Sequence, residues 1–166
     1  TEAHTGVALI FVDAKGENSI AVASGANARI SPADIEASLG VIASAAVVLL
    51  QLEIPIEAVR TAARIAREGG VRVILNPAPA CPLDDDLLGM VSIITPNETE
   101  AAMLTGIPVD HDRGVEAAAD ALLARGVGSA VITLGAKGSY IVSPEFSGSS
   151  PCFPVECIDS TAAGDV

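Results

Sequence analysis

The sequence is short of positive charge and of aromatic side chains. Its 166 residues contain 9 Lys and Arg against 21 Asp and Glu, which gives a formal net charge of −12, and Trp is absent. Nucleic-acid binding needs clustered Lys and Arg, so this composition argues against a nucleic-acid partner. A phosphate-bearing ligand stays compatible with it, because a metal ion and backbone dipoles can supply the positive field.

Long apolar runs and export signals are also missing. No apolar run reaches the ~18 residues of a membrane span, and the longest candidate, VIASAAVVLLQL, is interrupted by Ser and Gln. The first residues, TEAHTGVALI, carry no basic region and no cleavage site, so no signal peptide is predicted. None of the 3 cysteines forms a CxxC pair. Cys152 and Cys157 would fall on opposite faces of a strand, which argues against a shared metal. We therefore expect no membrane segment, reduced thiols and a cytoplasmic location.

What is present is an alternation of strand and helix patterns. Residues 6–24 read as a hairpin, with GVALIFVD and NSIAVAS on either side of AKGE, and a helix over 31–43 is predicted to begin at Ser31. Apolar strands and amphipathic helices then alternate, which predicts a mainly parallel sheet with helices on both faces. SAVITLG, GSYIVS and CFPVECI are further predicted strands, and SPEFSGSSP is predicted to be a surface loop.

Unusual polar residues recur directly after predicted strands. Open α/β sheets bind ligands at the carboxyl ends of their strands, so these clusters are expected to share one edge. In chain order, they are Gln51 with Glu53, residues 76–79, residues 96–100, Thr133 to Gly135, and residues 159–165.

Each cluster also has a purely structural interpretation. Asn97 and Glu100 have the spacing of a capping box, and Glu53 could be a solvated loop charge. Thr133-Leu-Gly135 could be a plain strand end, NPAP a rigid turn, and TAAGD an ordinary helix start. Because all five clusters fall at strand ends, a common ligand site is favoured over five separate structural roles.

Six segments, in one order, resemble the ribokinase/PfkB family of sugar kinases. They are GVALIFVDAKGENSIAVASGANARIS, LLQLEIP, VILNPAPA, IITPNETEA, VITLGAKG and DSTAAGD, and they extend along essentially the whole chain. The resemblance implies a ribokinase-like three-layer α/β sandwich and ATP-dependent phosphorylation of the 5-hydroxyl of D-ribose to D-ribose 5-phosphate. It also implies that residues 1–30 are part of a β-lid, which covers the sugar and pairs with a second subunit in a homodimer. Residues 31–166 would be a partial α/β domain.

The resemblance also implies roles at the reacting end of the sugar. Asp165 matches the catalytic base, which takes the proton of the sugar hydroxyl as the new phosphorus–oxygen bond forms. Ala162, Ala163 and Gly164 match the anion hole, whose backbone amides hold the transferring phosphoryl group. Glu53 matches a sugar-site carboxylate.

Further roles implied by the resemblance concern phosphate and cations. Asn97 and Glu100 match the pair that organises phosphate and hydrated Mg²⁺, which keeps much of its water when bound. Thr133 and Gly135 match the nucleotide contact. Asp159 and Thr161 match positions that contribute to the family's potassium site, which binds an activating monovalent cation.

Two departures from the family pattern bear on these expectations. Family members begin earlier, with a glycine-rich segment that grips the sugar, and continue past the position of Asp165. The chain is therefore expected to be a piece that lacks both ends and is inactive alone. GANARI and NPAPA favour ribose, but a kinase for another sugar or nucleoside stays open. A second alternative also stays open: the chain is a non-catalytic fragment that binds either a nucleotide or, through its lid strands, a protein partner.

Overall fold

The computed structural model describes residues 3–13 and 18–154. The predicted AKGE turn and every predicted feature of residues 155–166 lie outside these ranges. The described residues form a two-stranded hairpin and a six-stranded mixed sheet with helices between its strands. In this part of the chain no helix combines the length and the apolar character that crossing a bilayer requires.

The hairpin predicted at the start of the chain is present. Strand β1 (Val7–Val12) pairs antiparallel with β2 (Asn18–Ala23). Its side chains are exposed although many are apolar: Leu9 is 59% and Phe11 66% exposed. A lone two-stranded ribbon is marginal in water, so these apolar side chains suit a covering surface better than open solvent.

The second sheet has the order β3-β4-β5-β6-β7-β8. Its strands are β3 (Val47–Leu50), β4 (Arg72–Leu75), β5 (Ile93–Ile94), β6 (Ser129–Thr133), β7 (Ser139–Ser143) and β8 (Phe146–Ser150). The pairs from β3 to β6 are parallel, and β7 and β8 add two antiparallel pairs. The first four strands therefore end at one common edge, as the sequence pattern predicts.

The end of the sheet corrects one prediction. SPEFSGSSP, predicted to be a surface loop, supplies strand β8 instead. The Ser143 Oγ accepts the backbone N–H of Glu145 at 3.3 Å and that of Phe146 at 3.1 Å, which closes a tight turn after β7. The chain returns along β7 from this turn. The described part of CFPVECI, residues 152–154, is not in a strand.

The helices largely follow the predicted pattern. They are α1 (Pro32–Glu36), α2 (Leu39–Ala43), α3 (Ile56–Glu68), α4 (Asp85–Leu88), α5 (Glu98–Thr105) and α6 (Asp112–Ala124). The capping box expected at Ser31 is present, since Asp34 Oδ2 accepts the Ser31 N–H at 2.9 Å. The single helix predicted over 31–43 is instead two short helices, because the Ser38 N–H bonds to Ile35 O in a tighter turn.

The core lies between the helices and one face of the sheet. Val73, Leu75 and Ile132 are buried there. Alternate side chains along a strand point to the opposite face, where Leu49 is 74% exposed. The crossovers from β3 to β6 all step in the same direction, so right-handed connections place their helices on one face. Within residues 18–154 the helices of these crossovers therefore lie on the core side of the sheet.

Candidate functional site

The parallel strands bring four of the predicted polar clusters to one edge of the sheet. Glu53 follows β3, Asn76 follows β4, Asn97 follows β5 and Thr133 ends β6. Neighbouring strands lie about 4.8 Å apart, so the ends of β3 and β6 are separated by roughly 14 Å. This edge is long enough for a small ligand near β3 and a second ligand near β6.

A cleft of about 570 Å³ lies between the hairpin and the ends of β3 and β4. Its polar lining residues include Ser24, Asn27 and Glu53, and the apolar lining residues include Val7 and Val22 of the hairpin. The volume is within the range of small-molecule sites, which combine apolar walls with a few polar groups. Glu53 therefore lies in the lining of this cleft, with its side chain exposed.

The base of the hairpin positions Asn27 in this cleft. The Ala26 N–H donates to His4 O at 2.8 Å, so the segment before β1 and the segment after β2 meet at this point. Gly25 has φ +52, and a Cβ there would come within 2.6 Å of His4 O, so the crossing requires glycine. A Cβ on Gly6 would lie 3.3 Å from Asn27 Nδ2. The small residue at position 6 thus leaves room for the Asn27 amide at the cleft wall.

Hydrogen bonds join the segments that follow β3 and β4. The Asn76 N–H donates to Leu50 O at 2.9 Å, and the Leu52 N–H donates to Ala78 O at 2.8 Å. Gln51 Oε1 accepts the Glu53 N–H at 2.5 Å. These bonds hold the chain around Glu53 against the Asn-Pro-Ala-Pro segment, whose Pro79 also lines the cleft.

Asn97 and Glu100 form a reciprocal capping box at the start of α5. Asn97 Oδ1 accepts the Glu100 N–H at 2.9 Å, and Glu100 Oε2 accepts the Asn97 N–H at 2.8 Å. The structural interpretation of this pair is therefore correct, although it leaves a ligand role open. Glu100 is buried, with 7% of its surface exposed. Within the described residues its Oε1 has no hydrogen-bond partner, so it is free to accept a bond from a ligand or a water molecule.

Thr133 and Gly135 lie next to Asn97. Asn97 and Thr133 form a parallel β-bridge, and the Thr133 N–H donates to Pro96 O at 2.9 Å. Gly135, with φ +54, opens a 3₁₀ turn over Gly135–Lys137. The residues predicted to contact the nucleotide are therefore adjacent at the ends of β5 and β6, while Glu53 lies apart from them at the end of β3.

The resemblance implies Mg²⁺ and K⁺, for which the described residues offer few ligands. Among residues 3–13 and 18–154 no group of three or more His, Cys, Asp or Glu could hold a metal ion. A single buried carboxylate such as Glu100 suits Mg²⁺ that is carried by phosphate and water, because this ion uses few protein ligands. The remaining predicted site residues lie outside the described ranges. They are Asp159, Thr161, Ala162, Ala163, Gly164 and Asp165.

The clearest electrostatic pair lies away from the cleft. Arg60 donates to both oxygens of Asp84, at 3.1 and 2.6 Å. This hydrogen bonding, together with a bond from the Leu87 N–H, lowers the pKa of Asp84 to about 2. The same carboxylate raises the pKa of Arg60. Because Asp84 also caps α4, the pair fastens the start of α4 to α3.

Sequence reasoning did not single out Ser24 or Asn27. The segment GANARI favours ribose, but its spacing does not identify which residue lines the cleft. Asn27 lies in a 3₁₀ turn, and its direction depends on how the chain crosses at Gly25. A polar residue directly after a hairpin is the only signal that the sequence contains.

The sequence pattern of pfkB family carbohydrate kinases matches residues 1–166. The chain belongs to this family. It is 46% identical over 161 residues to a ribokinase of Haemophilus influenzae, covering 97% of this chain and 53% of that one. It is 43% identical over 164 residues to a ribokinase of Staphylococcus aureus, covering 99% and 54%.

A solved structure extends this similarity to the fold. Arabidopsis thaliana ribokinase, complexed with ribose and ATP, superposes with a TM-score of 0.85 at 31% identity. The match covers 99% of this chain and 54% of that protein. The ribokinase-like α/β fold predicted from the sequence is confirmed. The chain spans about half the length of the relatives that it matches.

Proposed function

We propose that this chain is part of a ribose kinase, which transfers a phosphoryl group from ATP to the 5-hydroxyl of D-ribose. The observation that carries the proposal is the cleft containing Glu53 and Asn27, closed on one side by the hairpin. Two relatives with more than 40% identity are ribokinases, and a structural neighbour binds ribose and ATP. These relatives support the same ligands here.

The sugar end of the proposed site is the cleft. The Glu53 carboxylate accepts hydrogen bonds from sugar hydroxyls, and the Asn27 amide both donates and accepts. Val7 and Val22 cover the less polar face of the sugar from the hairpin, which acts as a lid. The exposed apolar side chains of the hairpin also favour pairing with a second subunit, so we include a lid-mediated homodimer in the proposal.

The phosphate end of the proposed site is the junction of β5, β6 and α5. Asn97, Thr133 and Gly135 contact the nucleotide, and the first turn of α5 directs its partial positive charge at phosphate. Glu100, whose Oε1 has no partner among the described residues, would hold hydrated Mg²⁺. When bound, this ion neutralises charge on the phosphate oxygens.

The reacting groups of the proposal belong to the segment after residue 154. The Asp165 carboxylate takes the proton of the 5-hydroxyl, the sugar oxygen bonds to the γ-phosphorus, and the bond from that phosphorus to the bridging oxygen breaks to release ADP. Backbone amides of Ala162, Ala163 and Gly164 hold the transferring group. Asp159 and Thr161 would hold K⁺, which would supply positive charge beside the anion hole. A cytoplasmic location, supplying ATP and K⁺, completes the proposal.

The test uses a protein of the relatives' length that contains these 166 residues, called the full-length protein below. Purified protein is incubated with Mg²⁺-ATP, K⁺ and ribose, deoxyribose or adenosine, and the products are identified by ³¹P NMR. We expect ribose to have the highest kcat/KM and ribose 5-phosphate to be the product. If deoxyribose or adenosine has the higher kcat/KM, that compound and not ribose is the substrate. Nucleotide binding without turnover would show a non-catalytic protein. The 166-residue chain alone is expected to form no ADP.

A further inference from the structure

Gln51 lies two residues before Glu53, which lines the cleft, and the proposed mechanism gives Gln51 no role. It comes directly after the last residue of β3 and is half-buried. Its Oε1 accepts the backbone N–H of Glu53, two residues later, at 2.5 Å. Asn and Asp often form such side-chain turns with the residue two positions on, whereas Gln rarely does. The Gln51 side chain thus closes a turn at Glu53.

The bond from Gln51 holds a part of the loop that other hydrogen bonds do not reach. Leu50 and Leu52 are joined through their backbones to Asn76 and Ala78 of the neighbouring segment. In the described part of the chain, no other acceptor serves the Glu53 N–H. The direction of the backbone at position 53 thus depends on the side chain at position 51.

Glu53 needs this support because its carboxylate has no partner of its own. The side chain is exposed, and among residues 3–13 and 18–154 it has no hydrogen bond or ion pair. Leu52, Ile54 and Pro55 line the cleft on either side of it. A change in the turn at this point would move the carboxylate relative to the cleft, while the phosphate end, two strands away, would stay in place.

We propose that Gln51 is a positioning residue for the sugar: its amide oxygen fixes the turn that presents the Glu53 carboxylate to the cleft. This inference rests on the proposed function. The side chain acts through Glu53 and does not touch the sugar. Its loss is therefore expected to weaken sugar binding selectively, leaving the interaction with ATP unchanged.

The test compares two substitutions in the full-length protein. Gln51→Met keeps the length of the side chain but removes the acceptor, and Gln51→Asn keeps an amide oxygen that can form the usual two-residue turn. We expect Gln51→Met to raise the KM for the sugar by about ten-fold, the equivalent of one hydrogen bond, with the KM for ATP and the melting temperature nearly unchanged. Gln51→Asn should restore most of the sugar affinity.

Thr105→Val is the matched control, since Thr105 Oγ1 accepts the Ile107 N–H, also two residues on, at 3.2 Å, away from the cleft. Thr105 Oγ1 also donates to Ala101 O at 2.7 Å, so Thr105→Val loses two bonds and should lower stability, without changing the KM for sugar. An unchanged sugar KM in Gln51→Met, an equal rise in the ATP KM, or failure of Gln51→Asn to restore affinity would overturn the proposal. If the parent protein phosphorylates no sugar, the proposed function fails and this inference with it; if the parent is active and Gln51→Met behaves identically, this inference alone fails.

Discussion

Asn97 and Thr133 form a parallel β-bridge across the ends of β5 and β6, just beyond the regular pairing of these strands. The bridge places the N-cap of α5 beside the last residue of β6. Asn97 is committed through Oδ1 to the Glu100 N–H, and among residues 3–13 and 18–154 its side-chain NH₂ has no acceptor, so it can donate to a ligand. One residue can thus cap a helix and contact a phosphate.

The first prediction separates these two roles of Asn97. In the full-length protein, Asn97→Asp should keep the melting temperature, because Asp is as good an N-cap as Asn. It should raise the KM for ATP at least ten-fold, since a carboxylate replaces a donor beside the phosphates. Thermal melts and ATP titrations of the rate measure both effects. Unchanged ATP kinetics would leave Asn97 as a cap only.

Glu100→Gln tests the predicted contact with magnesium. Gln also completes a capping box, so stability should change little, while the Mg²⁺ concentration that gives half-maximal rate should rise several-fold as a charged ligand is lost. The rate is titrated with Mg²⁺ at fixed ATP. Asp34→Asn is a matched control, because Asp34 occupies the same position in the capping box of α1. An identical magnesium curve for Glu100→Gln and the parent would reduce Glu100 to a capping residue.

Much of the edge that holds these residues follows from local sequence patterns. Capping boxes at Ser31 and Asn97 are visible as residue spacings, and the order of apolar strands and helices predicts parallel pairing. Glu53 could be placed at a strand end for the same reason. The comparison with relatives confirms the family, and the roles of the individual site residues stay predictions.

Features that depend on tertiary contacts were not predictable in this way. Strand β8 is made from Phe146–Ser150, a Ser- and Gly-containing segment of low strand propensity, and pairing with β7 decides its conformation. The position of Asn27 depends on the chain crossing at Gly25. Leu49 is exposed because no helix of the described residues covers its face of the sheet, and the residue pattern of β3 alone does not predict this exposure.

Glu53→Gln is expected to weaken the sugar site. A hydrogen bond to a charged group contributes more than a neutral one, so the KM for ribose should rise by roughly ten- to a hundred-fold, with a much smaller effect on the KM for ATP. Initial rates at varied ribose and at varied ATP provide the comparison. Glu57→Gln, on the exposed first turn of α3, is the control and should leave both constants unchanged. Equal behaviour of the two variants would remove Glu53 from the sugar site.

Asp165→Asn tests the base in the full-length protein. Loss of general-base catalysis should lower kcat by on the order of 10²–10⁴, with little change in the melting temperature. If proton transfer is the lost step, the KM for ATP should stay within about two-fold of the parent value. Quenched single-turnover assays measure the chemical step directly. A fully active Asn variant would exclude Asp165 from the mechanism.

The last prediction concerns the pH dependence of stability through Asp84. Its pKa lies at about 2 in the folded chain against an ordinary value of 3.8. A carboxyl whose pKa is lowered by folding stabilises the protein above its ordinary pKa and loses this effect as the pH falls towards the lowered value. Asp84→Asn keeps an oxygen for the Leu87 N–H but removes the charge that pairs with Arg60. Urea unfolding should therefore show the parent more stable than Asp84→Asn at pH 6, with the difference shrinking between pH 3.8 and 2. Asp86→Asn is the control: Asp86 lies two residues after Asp84, in the first turn of α4, and its substitution should give a much smaller difference in stability. A parent-to-Asp84→Asn difference that stays constant down to pH 2 would contradict the role of the Arg60 pair.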